Sequence, residues 1–387
     1  MTTALIIGGG IAGPVTAMAL RRAGIDATVH EAYDSASDGV GAALTLAPNG
    51  LAALKIIGAD EDVQEKGLPI RGMVTSTATG FQLAEVGGLE GLPPSRLISR
   101  ADLFAALRDR ALAAGVPIVY GKRLVSAEET ADGVTAHFAD GTTATGDLLV
   151  GADGINSTVR GLIDPQAPGL ERIPLIGIGA TADVKTDTKP ETMHFAFGKA
   201  FIGYWSLPDG RTGWFTNLPH AEALSYQRAR AIPGEEWLDT LRETVGDEVP
   251  GRELVAHTSP ENLVAIGAME VLPSVPRWFS GRMVLVGDSA HAPSSSSGQG
   301  ASLAVESAIQ LARCLRDLPD LGEAFAAYEE LRRSRVEMVA ARAAALNDKK
   351  SGKGEDTDLE TQLGPEQRYT IDWDAPVTRG SSANAAT

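Results

Sequence analysis

Residues 3 to 13 read Thr-Ala-Leu-Ile-Ile-Gly-Gly-Gly-Ile-Ala-Gly and carry the strongest indication of a fold in this chain. The first five form a short apolar run that predicts a buried strand, and the glycine cluster leads directly into a stretch of helical periodicity. That stretch closes on residues 21 to 24, Arg-Arg-Ala-Gly, where the glycine suits the C-cap of a helix. Residues 27 to 31 then predict a second strand. We therefore predict an α/β fold with a Rossmann-type domain built on a parallel sheet.

The glycine cluster follows the GxGxxG pattern through Gly8, Gly10 and Gly13. In this pattern the first glycine permits a tight turn, the second lets a pyrophosphate approach the backbone, and the third allows close packing of helix on strand. Glu31 ends the second strand, where its carboxylate is placed to accept hydrogen bonds from both hydroxyls of an adenosine ribose and to repel a 2′-phosphate. FAD or NAD is therefore expected rather than NADP, and a loop that merely packs is the alternative. The predicted site comprises Gly8, Gly10, Ile11, Ala12, Gly13, Glu31 and Ala32.

Composition limits the remaining classes of function. With 43% hydrophobic and 22% charged residues the chain is expected to be globular. A net charge of −16, without a long basic run, argues against a nucleic-acid partner. Cys314 is the only cysteine, so we expect no disulfide, no cysteine-based metal site and a reducing cytoplasm. No uninterrupted apolar run approaches the roughly 20 residues of a membrane helix, so a soluble protein is predicted.

The rest of the chain alternates between two patterns. Residues 172 to 218 are rich in aromatic and β-branched residues with turn signals between them, which predicts antiparallel strands. The first pattern returns near Trp278, so the first domain is expected to be discontinuous. Helices are predicted over 99–115, 301–315 and 321–347, a strand over 282–286, and short β pieces over 116–150.

A second cofactor signal lies in Arg282-Met-Val-Leu-Val-Gly-Asp288, followed by Gly298-Gln-Gly300 and a helix. A carboxylate at the end of a strand can bond the hydroxyls of a ribityl chain. The start of the next helix can face the flavin pyrimidine ring, where its dipole would stabilise negative charge. A Gly-Asp pair after a strand, taken alone, is more often structural.

Three motifs in this order resemble the class A flavoprotein monooxygenases of the para-hydroxybenzoate hydroxylase type. They are the GxGxxG loop with Glu31, the segment from Gly151 to Arg160 with its Asp153-Gly154 pair, and Gly287-Asp288 with Gly298-Gln-Gly300. The resemblance covers about residues 1 to 345 and implies non-covalent FAD. It implies that Asp153 and Arg160 hold FAD and receive the nicotinamide cofactor.

The resemblance also extends to individual cofactor contacts. The loop Gly41-Ala42-Ala43-Leu44 is similar to the family's loop beside the flavin, and Arg100 to its FAD-contacting arginine, although a surface salt bridge would also explain that residue. Two departures stand out: the family's usual proline before GQG is Ser295 here, and its common asparagine after GQG is Ser302. The further cofactor contacts implied by the family are Gly41, Ala42, Ala43, Arg100, Leu124, Asp153, Asp288, Gly298, Gly300, Ala301 and Ser302.

The resemblance implies a reaction and a domain arrangement. NADH or NADPH would reduce FAD transiently, and reaction with O2 would give a C4a-hydroperoxide that hydroxylates an aromatic or polyketide-like small molecule. No second GxGxxG is found for a separate nicotinamide domain. The expected division is an FAD-binding domain of residues 1–70, 98–170 and 275–345, a mostly antiparallel-sheet substrate-binding domain of 71–97 and 171–274, a long C-terminal helix, and a tail of 346–387 that Trp373 could anchor.

A sheet lined with aromatic side chains would provide a wall for an electron-rich substrate. The predicted substrate contacts are Phe195, Tyr204, Trp214 and Ser295, with Met193, Phe197, Trp205 and Phe215 as further candidates. For any single aromatic or apolar residue among them, a place in the core is the more common explanation. No histidine has the spacing of a metal site or catalytic triad, so no metal and no catalytic base are predicted.

Two other functions remain open at this point. A flavin-dependent halogenase is suggested faintly by residues 203 to 208, Gly-Tyr-Trp-Ser-Leu-Pro, but the early lysine that halogenation would need is not found. A flavin-binding homologue without turnover is permitted by Ser295 and Ser302. Chloride-dependent product formation and ligand-stimulated NADPH oxidation distinguish these alternatives from a monooxygenase.

Overall fold

A computed structural model describes residues 2–35, 43–353 and 365–378. The strands are β1 (Thr3–Ile7), β2 (Asp26–His30), β3 (Ala43–Leu46), β4 (Leu68–Ile70), β5 (Gly72–Thr77), β6 (Gln82–Gly87), β7 (Ser95–Ser99), β8 (Ile118–Val119), β9 (Leu124–Glu129), β10 (Val134–Phe138), β11 (Thr143–Gly146), β12 (Leu148–Gly151), β13 (Glu171–Ala182), β14 (Thr192–Phe197), β15 (Phe201–Ser206), β16 (Thr212–Pro219), β17 (Leu263–Val271), β18 (Phe279–Ser280) and β19 (Met283–Leu285). The α-helices are α1 (Ala12–Arg22), α2 (Pro48–Ile56), α3 (Asp60–Lys66), α4 (Arg100–Ala113), α5 (Thr158–Ile163), α6 (Tyr226–Ala231), α7 (Gly234–Val245), α8 (Gly251–Ala256), α9 (Gly300–Asp317) and α10 (Leu321–Lys350).

The first sheet has six strands in the order β18-β19-β12-β1-β2-β8. Its pairs from β19 to β8 are parallel, and only the short β18 runs antiparallel to its neighbour. The middle strand β1 is buried along Ala4 to Ile7, as expected of a strand covered on both faces. The predicted Rossmann-type sheet is confirmed, and it joins strands from three distant parts of the chain.

The second sheet has seven strands in the order β17-β13-β16-β15-β14-β5-β6. All of its pairs are antiparallel except β14 with β5, which are parallel. One face packs on α6, α7 and α8 through an apolar layer that includes Trp237 and Leu241. The other face carries a smaller apolar cluster around Met193, which also includes Ile70 and Leu97.

Contact between glycines sets the position of α1 on β1. A Cβ built on Gly13 would lie 1.9 Å from the carbonyl oxygen of Gly8, and one built on Gly8 would lie 2.4 Å from that of Ala152. Gly8 also has a φ of 107°, a left-handed conformation that side chains rarely adopt. Backbone thus packs directly on backbone where α1, β1 and the end of β12 meet.

A buried ion cluster joins α9 to α10. Glu306, which is fully buried, accepts hydrogen bonds from Asn49 at 2.6 Å and Arg335 at 2.8 Å, and Arg332 lies within 2.8 Å. Burial alone would raise the pKa of Glu306, but the two arginines outweigh it and hold that pKa below its usual value. The carboxylate is therefore charged and paired.

The C-terminal part of the chain returns to this helix pair. Helix α10 continues three residues beyond its predicted end, so the first residues of the expected tail are helical. Trp373 is 9% exposed, and the guanidinium groups of Arg22 and Arg316 lie 5.2 and 4.8 Å from its ring centroid. No helix in the described part of the chain has the length and apolar character of a membrane span.

We expect Gly13→Ala to destabilise the fold by about 1–3 kcal/mol, because the added methyl group must push α1 away from the Gly8 carbonyl. The matched control is Gly161→Ala in α5, where an added Cβ meets nothing within 4 Å. Thermal unfolding of both variants measures the difference. Equal melting temperatures for the two variants would contradict the proposed packing constraint.

Candidate cofactor and substrate cavity

A cavity of about 1730 Å³ runs from the glycine loop of the first sheet to the apolar face of the second. Ligand pockets usually enclose about 300–1,000 Å³, so this one has room for a dinucleotide and a second ligand. Most of the predicted site residues border it. These are Gly8, Gly10, Ile11, Ala12, Glu31, Ala32, Ala43, Arg100, Leu124, Asp153, Phe195, Trp214, Asp288, Ser295, Gly298, Gly300 and Ala301.

The predicted residues Gly41 and Ala42 lie outside the described residues. Gly13 and Ser302 do not border the cavity. Gly13 is instead the helix-packing glycine described above. The hydroxyl of Ser302 is fully buried and accepts a hydrogen bond from the backbone N–H of Ala47 at 3.1 Å, which fixes the start of α2 against α9.

Two helices, α1 and α9, begin at the wall of the cavity. Neither start has a side-chain cap among the described residues, and neither first turn contains an acidic residue. Their free N–H groups and positive dipole ends therefore attract negative charge. At Gly287 an added Cβ would lie 3.0 Å from Ala12 and 3.2 Å from Ala304, so this glycine allows the two helices to approach each other.

Glu31 stands directly after β2 at the edge of the glycine loop. Its carboxylate accepts hydrogen bonds from the backbone N–H groups of Gly9 at 2.6 Å and Tyr33 at 2.9 Å. These contacts orient the carboxylate next to the loop that the sequence predicts to hold a pyrophosphate. The position suits an acceptor for ribose hydroxyls.

The Asp153-Gly154 segment is a rigid corner rather than a free loop. Ser157 Oγ donates to the Asp153 carboxylate at 2.5 Å, and the backbone N–H of Thr158 donates at 2.7 Å. Arg160 donates to the carbonyl of Ser289 at 3.1 Å and to that of Ile155 at 2.8 Å. Arg160 therefore ties this segment to the one that contains Asp288.

Asp288 lies in the turn after β19 and borders the cavity. Burial raises the pKa of Asp288, and the positive charge of Arg100 opposes that rise. Arg100 begins α4, where its guanidinium lies 5.7 Å from the ring of Phe104. A carboxyl group at this point can form hydrogen bonds with hydroxyls of a bound ligand.

His291 follows this turn but does not border the cavity. Its Nε2 lies 2.8 Å from Ser307 Oγ, and burial lowers the pKa of His291 to about 3. The ring is therefore neutral at physiological pH. No group of three or more His, Cys, Asp or Glu residues that could hold a metal occurs in the described ranges.

The aromatic wall of the cavity comes from alternate residues of β14, β15 and β16. Phe195, Trp205 and Phe215 pack together on the cavity face. The structure places the side chains of Tyr204 and Trp214, two of the predicted substrate contacts, in the layer on the opposite face. Trp214 is only 1% exposed although it borders the cavity, and its indole N–H donates to Thr258 Oγ1 at 3.0 Å. Strand alternation fixes a face only when the register is known.

The sequence did not indicate two polar groups of the cavity, Asn217 and Lys350. Lys350 ends a long helix whose composition resembles a solvated surface, and its buried position arises only from packing of α10 on the second sheet. The same region carries Ser294 and Ser296 of the serine run, which bond to Asn347 and Lys350. The sequence feature that pointed to this region is Ser295, which stands where the family usually has proline.

Comparison with known proteins agrees with this geometry. The family model described as FAD binding domain matches residues 1–343. The FAD-dependent urate hydroxylase of Klebsiella pneumoniae is 30% identical over 364 residues, covering 90% of this chain and 91% of the relative. The 6-hydroxynicotinate 3-monooxygenase of Pseudomonas fluorescens is 29% identical, covering 86% and 88%.

Solved structures give the same result. HpxO of Klebsiella pneumoniae, complexed with FAD and uric acid, has a TM-score of 0.78 and 26% identity over 95% of this chain and 93% of that one. A single-substitution variant of HpxO, complexed with FAD, has a TM-score of 0.80 over 96% and 95%. The chain therefore belongs to the FAD binding domain family and is an FAD-dependent monooxygenase with the class A flavin monooxygenase fold.

Proposed function

We propose that this enzyme hydroxylates a small aromatic molecule in the cytoplasm, with NADH or NADPH as transient reductant and O2 as co-substrate. One observation carries the proposal: the glycine loop, the start of α9 and the aromatic wall all border one continuous cavity. A cofactor lying along the first two would present its reactive end to a ring held by the third.

The residues present fit FAD. The start of α1 is suited to the pyrophosphate, Glu31 to the adenosine ribose, Asp288 to the ribityl chain and the start of α9 to the flavin pyrimidine ring. When bound, FAD would supply electron transfer to oxygen and delivery of one oxygen atom to the substrate. The chain's own contribution is then to bind both partners, orient them and exclude water.

The aromatic wall indicates the class of substrate. Phe195, Phe201 and Phe215 form a connected set of rings, with centroids 5.5 and 5.9 Å apart, against which a flat molecule can stack. The relatives named for urate, 6-hydroxynicotinate and 3-amino-4-hydroxybenzoate act on small ring compounds with polar substituents. We infer that a substrate of this size and type binds here.

The test is O2-dependent oxidation of NADH and NADPH by purified holoenzyme, with and without a panel of phenols, heteroaromatic acids and polyketides, followed by mass analysis of products. We expect at least one compound to stimulate oxidation and to gain one oxygen atom. Flavin-containing protein that is stimulated by no compound would instead support a binding protein without turnover. A chlorinated product that forms only with chloride would support a halogenase.

We expect Glu31→Gln to weaken FAD binding roughly tenfold or more, because the variant loses the charge of an acceptor for the ribose hydroxyls. Titration of apoprotein with FAD, followed by quenching of flavin fluorescence, measures the affinity. The matched control, Asp132→Asn, removes an exposed carboxylate from a turn and should leave the affinity unchanged. Unaltered binding in the Glu31 variant would refute its role.

A second pair of variants tests the substrate wall on two adjacent residues of β15. Trp205→Leu should raise the substrate KM roughly fivefold to tenfold, because Trp205 faces the cavity. Tyr204→Leu should lower the melting temperature while leaving KM unchanged, because Tyr204 packs in the layer beneath helices α6 to α8. Steady-state kinetics with a substrate identified in the panel measure KM for both variants. A raised KM for the Tyr204 variant alone would place the substrate site on the opposite face of the second sheet.

A further inference from the structure

The last residue of α10, Lys350, brings an amine into the substrate side of the cavity. Its Nζ donates to Asn217 Oδ1 at 2.7 Å and to Ser296 Oγ at 2.9 Å, and lies 3.8 Å from the ring centroid of Phe201. Lys350 as a whole residue is 6% exposed. Three separate elements, β16, β15 and the serine turn before α9, therefore converge on one nitrogen.

The amine has no charged partner among the described residues. No carboxylate in those ranges lies within ion-pair distance of it. Of the other charged groups on the adjacent elements, Arg342 pairs with Glu366, Glu270 pairs with Arg172 at 2.8 Å, and the Lys349 amine lies 5.1 Å from the Phe197 ring. An ammonium group has three donors, and the contacts of Lys350 use two of them.

We propose that Lys350 binds an anionic oxygen of the substrate, either a carboxylate or an ionised ring hydroxyl, while the aromatic wall holds the ring. This assignment rests on the proposed hydroxylase function and specifies its substrates as acidic aromatic compounds. The third N–H of the amine donates to the substrate, and Asn217 and Ser296 hold the nitrogen in place. A buried ammonium that lacks a counter-ion is stabilised when an anion arrives.

The charge state of the amine provides a signature of this role. Burial lowers the pKa of Lys350 to about 7. An anion binds the protonated amine, so affinity for an anionic ligand should fall as pH rises above that pKa, up to tenfold per pH unit. Lys350→Arg keeps a positive charge across this range, and its affinity should be independent of pH there.

The experiment measures ligand binding to holoenzyme from the change in the visible spectrum of bound flavin. Two pairs of probes are used, each an anion with its neutral analogue. Para-hydroxybenzoate and its methyl ester test for binding of a carboxylate, and pentafluorophenol and pentafluoroanisole test for binding of an ionised hydroxyl. Below the Lys350 pKa, wild-type protein should prefer the anionic member of at least one pair. Lys350→Met should weaken binding of that anion roughly 30-fold or more and leave the affinity for its neutral analogue unchanged. The pair that responds identifies which anion the site takes.

Two controls separate recognition from folding. Lys353→Met removes an exposed lysine three residues further on and should bind both probes as the wild type does. Lys350→Met should fold at least as stably as wild type near pH 7. Because the folded-state pKa lies below its ordinary value of 10.5, wild-type stability relative to this variant should rise between pH of about 7 and 10.5.

Equal binding of anionic and neutral probes by the wild type, or equal losses of both in Lys350→Met, would overturn the assignment and leave Lys350 a structural residue. The binding readout does not require turnover. Selective anion binding by a protein whose NAD(P)H oxidation no compound of the panel stimulates would therefore refute the hydroxylase and keep the anion site. Ligand-stimulated hydroxylation without preference for the anionic probes would support the hydroxylase and refute the anion site.

Discussion

Direct contact of backbone with backbone at the glycine loop positions the first helix, the central strand and the cofactor side of the cavity. Because Gly13 has no side chain, α1 approaches the Gly8 carbonyl, and because Gly8 has none, β1 approaches the end of β12. The carboxyl ends of parallel strands and the start of α1 consequently meet at one edge of the sheet. That edge is where α/β folds place ligands.

The second requirement is that the substrate side of the cavity keeps a fixed position relative to this edge of the first sheet. Glu306 contributes by pairing α9, whose start borders the cofactor side, with α10, whose end borders the substrate side. Removing one partner from a buried ion pair costs about 3–5 kcal/mol, so relative sliding of these helices is strongly opposed. Both ends of the cavity are thereby tied to one buried carboxylate.

The serine run before α9 gains a meaning from this arrangement. Where the family usually has proline, this chain has Ser295. The hydroxyls on either side of it form hydrogen bonds with α10, Ser294 with Asn347 at 3.2 Å and Ser296 with Lys350 at 2.9 Å. These two flanking serines couple the turn before α9 to the end of α10, where Lys350 borders the substrate side of the cavity.

The βαβ opening, the parallel sheet and the long helices were predictable from the sequence, as was the order of the three motifs, because they depend on local periodicity and on glycines at fixed spacing. Which face of each strand borders the cavity became clear only from the tertiary structure, which places the side chains of Tyr204 and Trp214 away from the aromatic wall. The burial of Lys350 likewise became clear only from the tertiary structure. The physical reason is that strand alternation defines two faces without saying which one is covered. Contacts between residues 217, 296 and 350 depend on how distant elements pack, and local sequence carries no record of that packing.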